Sequence, residues 1–381
     1  MRMAAYDAIV LGTGGVGSAA LFHLARRGAR VLGLDRFGPG HDRGSSHGQT
    51  RLIRQAYYEH PDYVPLVQRA FELWHELEQL EGTTLYRQVG LLQIGAESGE
   101  VIRGVRASAR RHDLPIEELS AAECQHRFAG FRVPDSCRAV FEARAGILLV
   151  EQCVRAHAQQ AVRQGAEIRS GETIEHWRLE GDRVVVQTDR GRYTAARLIV
   201  TVGAWAGQLL GELGVPFEVR RKPLYWFAAN SDVYQADRGC PGFLYDLPQG
   251  CFYGMPQIDP LGVKVAQHTG GAVVADPLTV DRSVDVADQE VVSRFVEGFL
   301  PALSTHPSEH TVCMYTMTPD AHFVVDRHPE YPQVVFAAGL SGHGFKFTSV
   351  LGEALAQLTL DGAARPPIGF LSLARPGLKQ T

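Results

Sequence analysis

The chain has 381 residues, 45% hydrophobic and 21% charged, with a formal net charge of −4. That length suits two or three domains with a sizeable core, and the absence of a long basic run argues against a nucleic-acid partner. No apolar run reaches the ~18 residues of a membrane helix, a strand begins within the first ten residues and leaves no room for a signal peptide, and the C-terminal Lys-Gln-Thr is no peroxisomal address, so a cytoplasmic protein is expected.

Residues 6–11 (YDAIVL) read as a buried strand, and Gly12, Gly14 and Gly17 of GTGGVG make the turn into a helix running to Arg27. The run VLGLD (31–35) is a second strand ending in Asp35, which completes a βαβ unit. Glycines in such a turn let a pyrophosphate sit on the helix N-terminus. An acid at the end of the second strand accepts hydrogen bonds from the adenosine ribose. This is a dinucleotide fingerprint, and on its own it does not choose between NAD and FAD. The 40 glycines, about a tenth of the chain against a usual ~7%, fit a fold whose backbone approaches a ligand closely.

A polar loop, HDRGSSHGQTR (41–51), comes next, followed by helical spacing over 61–80. Residues 85–95 read as strand, 132–149 as strand and loop, 150–164 as helix and 166–170 as strand. The stretch 174–205 reads as a β-meander followed by a buried strand. Residues 217–315 are strand-rich, interrupted by one amphipathic helix near 286–300, and from 320 the chain returns to strand, glycine turn and helix. The pattern predicts an α/β (α+β) protein of two domains, each discontinuous: 1–86, 148–217 and 320–381 form the dinucleotide-binding domain, and 87–147 with 218–319 a strand-rich substrate domain with an antiparallel sheet.

Six cysteines, none in a Cys-x-x-Cys pair, read as reduced thiols, and Cys313 stands apart by its context. The 15 histidines show no metal-ligand spacing. Arg51 and Arg54 are three apart, so they share a face if the stretch is helical, and two arginines there could grip a carboxylate. Lys264 lies in the alternating stretch VKVAQHT, where a solvated lysine is the commoner case. Lys346 falls where a helix begins, a position unfavourable for a cation unless an anionic ligand is near. His268, Tyr253 and Tyr315 have apolar or aromatic neighbours, and each taken singly fits packing.

The segments GSSHGQTRLIR, YGMP, VKVAQHTGG, CMYTMTPDAHFVVD and GLSGHGFKF occur in this order along the chain. Together they resemble the monomeric sarcosine oxidase and N-methyltryptophan oxidase family of amine-oxidising flavoproteins, over essentially the whole length. The resemblance implies an FAD-binding Rossmann-like domain of the glutathione-reductase and D-amino-acid-oxidase type. It implies FAD joined to Cys313 by a thioether, with Gly12, Gly14, Gly17, Asp35, Ser45, Gly203, Gly342 and Lys346 also holding the cofactor. Lys264 is similar to the lysine that promotes reaction with O2, and Arg51 to a basic residue that supports catalysis and flavin attachment. Arg54 and Lys346 resemble the pair that binds the substrate carboxylate, and Tyr253, His268 and Tyr315 the residues around the substrate amine.

The expected reaction is oxidative demethylation of a secondary amino acid: sarcosine, O2 and water give glycine, formaldehyde and hydrogen peroxide. The family also implies a monomer. CMYTMTP leans toward the sarcosine branch, whereas Gly270-Gly271 and the run into SVLGE lean toward N-methyltryptophan, with Leu244 and Met255 expected at the pocket. A bulkier substrate such as N-methyltryptophan or pipecolate therefore stays open. So do a flavin dehydrogenase with a non-oxygen acceptor and a non-catalytic dinucleotide-binding module.

Overall fold

The strand Ala5–Leu11 is the centre of a parallel layer, with Arg192–Val200 on one side and Val31–Asp35 on the other. Ala8, Ile9, Val10 and Leu11 are fully buried, as a strand covered on both faces must be, which is why the run is uniformly apolar. The computed structural model describes residues 5–378. The Lys-Gln-Thr tripeptide, expected to carry no peroxisomal address, lies outside them.

Outward from this centre, Val31–Asp35 pairs in parallel with Glu167–Ser170, and Arg192–Val200 with Val334–Ala338. The first half of Arg192–Val200 also closes an antiparallel meander with Ile174–Glu180 and Arg183–Thr188. One strand is therefore both the third meander strand and the buried strand that the sequence reading had separated. On one face the helices Gly15–Ala25 and Thr348–Asp361 cross so closely that a Cβ on Gly352 would stand 2.5 Å from that of Ala19. This contact brings the turn before the second helix, with Lys346, beside the first glycine turn.

The second sheet is mostly antiparallel. Its order is Glu309–Met317, Glu218–Phe227, Val263–Gln267, Gly250–Met255, Gly242–Leu247, Leu91–Ala96, Cys137–Glu142 and Glu117–Ser120. Between the two large sheets lies a small one in which Thr50–Ile53 and Tyr86–Arg87 flank Gly146–Leu149. The buried Glu142 carboxylate accepts from Gln55 N at 2.7 Å and Ala56 N at 3.0 Å, which fastens the chain just after Thr50–Ile53 to the second sheet.

Three local expectations change. Residues 85–95 are two strands in different sheets, broken at Gly90, whose φ of 76° and contact with the Phe141 ring exclude a side chain. Residues 50–53 form a strand rather than a helix, so Arg51 is placed by strand geometry and Arg54 follows the strand's end. Helices at Glu100–His112 and Ala121–Arg127 were not anticipated, although Ser120 and Glu123 form a capping box at the second. No helix among the described residues is long and apolar enough to cross a membrane.

Candidate active site

The glycine turn is shaped by contacts that admit no side chain. Gly12 has φ of 82°, and a Cβ there would lie 2.6 Å from Thr201 O. A Cβ on Gly17 would lie 1.8 Å from Gly12 O, so this glycine lets the helix close onto the strand. Gly14 caps the helix with no side-chain bond, and Ser46 Oγ accepts from Gly15 N at 3.2 Å. The Asp35 carboxylate is held by Thr13 N at 2.6 Å and Thr13 Oγ1 at 3.1 Å on one oxygen, and by Phe37 N at 2.8 Å on the other.

A cavity of about 360 Å³ joins this cradle to a cluster of cations. Its wall includes Gly12, Gly14, Asp35, Ser45, Arg51, Arg54, Gly203, Tyr253, His268, Tyr315, Gly342 and Lys346. Leu244 and Met255 also face it. Gly17, Lys264 and Cys313 are not wall residues: Gly17 packs against the turn, and the other two bond to segments that form or flank the wall. Gly270 and Gly271 are not on the wall either. Among the described residues, no His, Cys, Asp or Glu cluster is arranged to hold a metal.

Arg51 links several of these pieces. One guanidinium nitrogen donates to Ser45 O and to Cys313 Sγ, each at 3.2 Å, and the other to Thr50 O at 2.9 Å. Cys313 is 1% exposed. Lys264 is equally buried, not solvated, and its Nζ donates to Gly48 O at 2.8 Å and Thr50 O at 2.5 Å. Burial, reinforced by Arg51, pushes its pKa well below the usual lysine range. The intervening Gln49 holds φ at 72°, unusual for a residue with a side chain. It is tethered by Trp226 Nε1 on its amide oxygen, by Asp259 on its amide nitrogen and by Glu151 on its backbone N–H.

Arg54 is 3% exposed, donates to Glu59 Oε2 at 2.5 Å and lies 4.3 Å from the Tyr57 ring centroid. Its Nε has no hydrogen-bond partner among the described residues. Burial alone would raise the Glu59 pKa, but Arg54, then His343 and Lys346, outweigh it and hold the carboxyl at about 2. Lys346 Nζ donates to His343 O at 2.8 Å, and burial and Arg54 push its pKa well below normal. Two buried cations with unused donors, balanced by one acid, form a site that accepts a carboxylate.

Next to them stand the aromatic groups. His268 Nδ1 lies 3.3 Å from Tyr315 OH, and the His268 and Tyr253 rings meet edge to face. Burial, followed by the charge of Lys222, pushes the His268 pKa down to about 3, so the imidazole is neutral at ordinary pH. Sequence reasoning did not anticipate Glu59, His343 or Tyr58. The one signal was an acid inside the aromatic run YYEHP, since a carboxylate among buried rings needs a cation.

The family model for FAD dependent oxidoreductases of the DAO type matches residues 7–358. The monomeric sarcosine oxidase of Streptomyces avermitilis is 42% identical, over 97% of this chain and 97% of its own. The N-methyl-L-tryptophan oxidase of Yersinia pestis is 35% identical, over 97% of this chain and 99% of its own. The open form of NikD, described as an unusual amino acid oxidase essential for nikkomycin biosynthesis, superposes with a TM-score of 0.85 at 25% identity, covering 97% of both chains. The glycine turn, the carboxyl-terminal strand, turn and helix, and these matches agree: the chain belongs to the DAO family of FAD dependent oxidoreductases and, within it, to the sarcosine oxidase and N-methyltryptophan oxidase group.

Proposed function

We propose that this protein is an FAD-dependent oxidase that demethylates N-methyl amino acids, with sarcosine as the first substrate to test. The observation that carries the reading is the continuity of one cavity from the glycine cradle and Asp35 to the buried Arg54 and Lys346. The cradle fits a dinucleotide because its glycines let strand, turn and helix close tightly, while a Cβ on Gly14, at the helix N-terminus, would meet nothing nearer than Ser46 Oγ at 3.8 Å. We assign residues 1–86, 148–217 and 320–381 to holding FAD, and 87–147 with 218–319 to the substrate side.

In this reading Arg54 and Lys346 grip the substrate carboxylate and so fix the secondary amine against Tyr253, His268 and Tyr315. The cations around the cavity disfavour an ammonium, so the substrate is held with its nitrogen neutral and its lone pair available. His268, neutral itself, can accept a hydrogen bond from that nitrogen. A bound flavin would supply the two-electron acceptor for the C–H bond next to nitrogen and a route for those electrons to O2. Lys264, its Nζ held by two carbonyls, stabilises the negative charge that develops as oxygen is reduced. Cys313, gripped by Arg51 against Ser45 O, is the attachment point for a flavin thioether. The imine product leaves and is hydrolysed in water to amine and aldehyde.

The test is hydrogen peroxide formation under air with sarcosine and with N-methyltryptophan at matched concentrations. Peroxide with either substrate supports the oxidase reading. Turnover only with an artificial electron acceptor would replace it with a dehydrogenase, and no turnover with any acceptor would refute it.

A further inference from the structure

Lys222 lies in the strand Glu218–Phe227, opposite Cys313 in the antiparallel register, and is 3% exposed. Its Nζ donates to His268 O at 2.7 Å and Thr269 O at 2.9 Å, and stands 5.0 Å from the Tyr315 ring centroid. Asp288, the carboxylate whose charge reaches it, is itself ion-paired with Arg221. An ammonium buried against carbonyls and a ring, with no carboxylate of its own, is costly to keep. What it holds gives the reason.

The two carbonyls belong to the turn where the strand Val263–Gln267 ends. The chain then reverses through Gly270 and Gly271, with φ of 67° and 100°. A Cβ on Gly271 would meet Arg221 O at 2.5 Å and the Lys222 stem at 3.3 Å, so the turn packs on the backbone before the lysine as well as on its side chain. The strand Gly250–Met255 supplies only its own backbone groups on the other side: Cys251 O accepts from His268 N at 2.7 Å, and Cys251 N donates to the Thr269 side-chain Oγ1 at 3.1 Å. Lys222 is therefore a side chain that touches both halves of the His268–Tyr315 pair. Its hydrogen bonds fix the backbone of one, and its charge sits against the ring of the other.

We infer that Lys222 is a positioning residue for the amine side of the substrate pocket, setting where His268 and Tyr315 stand relative to each other. The inference rests on reading the cavity as an amino acid site. Without the Lys222 donor, the part-buried carbonyls of His268 and Thr269 lose their side-chain partner, and the turn, hinged on two glycines, is left with its bonds to neighbouring backbone alone. The carboxylate subsite at Arg54 and Lys346 does not depend on it.

The experiment compares wild-type holoenzyme with Lys222→Met, Lys222→Gln and Lys222→Arg. Steady-state turnover of sarcosine is measured alongside the dissociation constant of acetate, a carboxylate with no amine, read from the flavin absorbance change. The expected result is a sarcosine KM raised about tenfold in the methionine and glutamine variants, with the acetate constant unchanged within about twofold and arginine restoring KM. Sarcosine and acetate weakened together, or neither weakened, overturns the inference. If the methionine variant yields no folded flavoprotein, the glutamine and arginine variants decide. Glutamine raised with arginine at wild-type KM supports the role; any other pattern, including failure of both to fold, refutes it. Absence of both turnover and acetate response in the wild type would instead remove the site reading itself.

Discussion

Replacing Glu59 with Gln should tighten carboxylate binding while weakening the fold. If Arg54 takes the substrate carboxylate as proposed, Glu59 competes with it, because Glu59 already occupies one edge of the guanidinium at 2.5 Å while Nε is unpartnered among the described residues. A ligand carboxylate gripped across that guanidinium would sit roughly 6 Å from the Glu59 carboxylate. At an effective dielectric of about 20 the repulsion is about 2.8 kcal/mol, a ceiling on the order of a hundredfold in affinity. Local relaxation reduces this, so acetate should bind about ten- to fiftyfold more tightly to Glu59→Gln. The opposite effect is expected on stability, because Arg54 loses the charge that compensates its burial, at a cost of about 3 kcal/mol. Because Glu59 is held at about 2, below the ordinary carboxylate range, its stabilising charge is fully present above that range and is lost only as pH falls toward 2. Both effects should therefore be level across neutral pH. The assay is acetate titration followed by flavin absorbance, paired with thermal unfolding of the same samples. Weaker acetate binding would refute the reasoning and show that Glu59 serves mainly to hold Arg54 in place. A rise in stability would refute the account of the ion pair.

Lys264→Met should slow reoxidation by O2 far more than reduction by substrate, measured separately by stopped flow; equal slowing of both would remove the role assigned to this lysine. Cys313→Ala should leave a flavin that acid precipitation releases, whereas the wild type should keep its flavin on the protein; release from both would end the covalent assignment. Acid should unfold the enzyme steeply. Burial lowers His23, His47 and His268 to about 3 and His343 to about 4, against 6.5 for the free side chain. The unfolded chain therefore takes up protons that the folded one refuses, and stability falls as pH drops below about 6.5, by up to about 1.4 kcal/mol per pH unit for each histidine. Denaturant midpoints at pH 7, 6 and 5 should decline progressively, and a flat series would contradict the burial of these rings as neutral groups.

The parts of the fold carried by local signals were readable from the chain. GTGGVG between a strand and a helix, with Asp35 closing the second strand, needs no long-range information, because turn geometry dictates the glycines. The helices at 63–81, 150–163 and 286–299 followed from their apolar spacing. The extended stretch at Arg51 did not, since two arginines three apart look alike on a short strand and on a helix. The burial of Lys264 was also hidden, because V-K-V-A-Q alternates as a half-exposed strand would, and only the carbonyls of Gly48 and Thr50, more than 200 positions away, account for it. Glu59 and Lys222 depend in the same way on partners brought together by tertiary packing. Lys222 faces Cys313 through the pairing of strands about 90 residues apart, and a side chain defined by register in a distant strand leaves no periodic trace.

The small sheet between the two layers governs how the enzyme fails. Thr50–Ile53 carries Arg51 and leads into Arg54, and it is laddered to Gly146–Leu149. That strand runs straight into the helix Val150–Arg163, which packs against Gly15–Ala25 of the parallel layer, and the strand just before it, Cys137–Glu142, belongs to the antiparallel sheet. Neither layer can melt without tearing this stitch, and the stitch holds Arg51 and leads into Arg54. Heating should therefore give one cooperative transition in which fold, flavin environment and turnover are lost together, rather than one layer outliving the other.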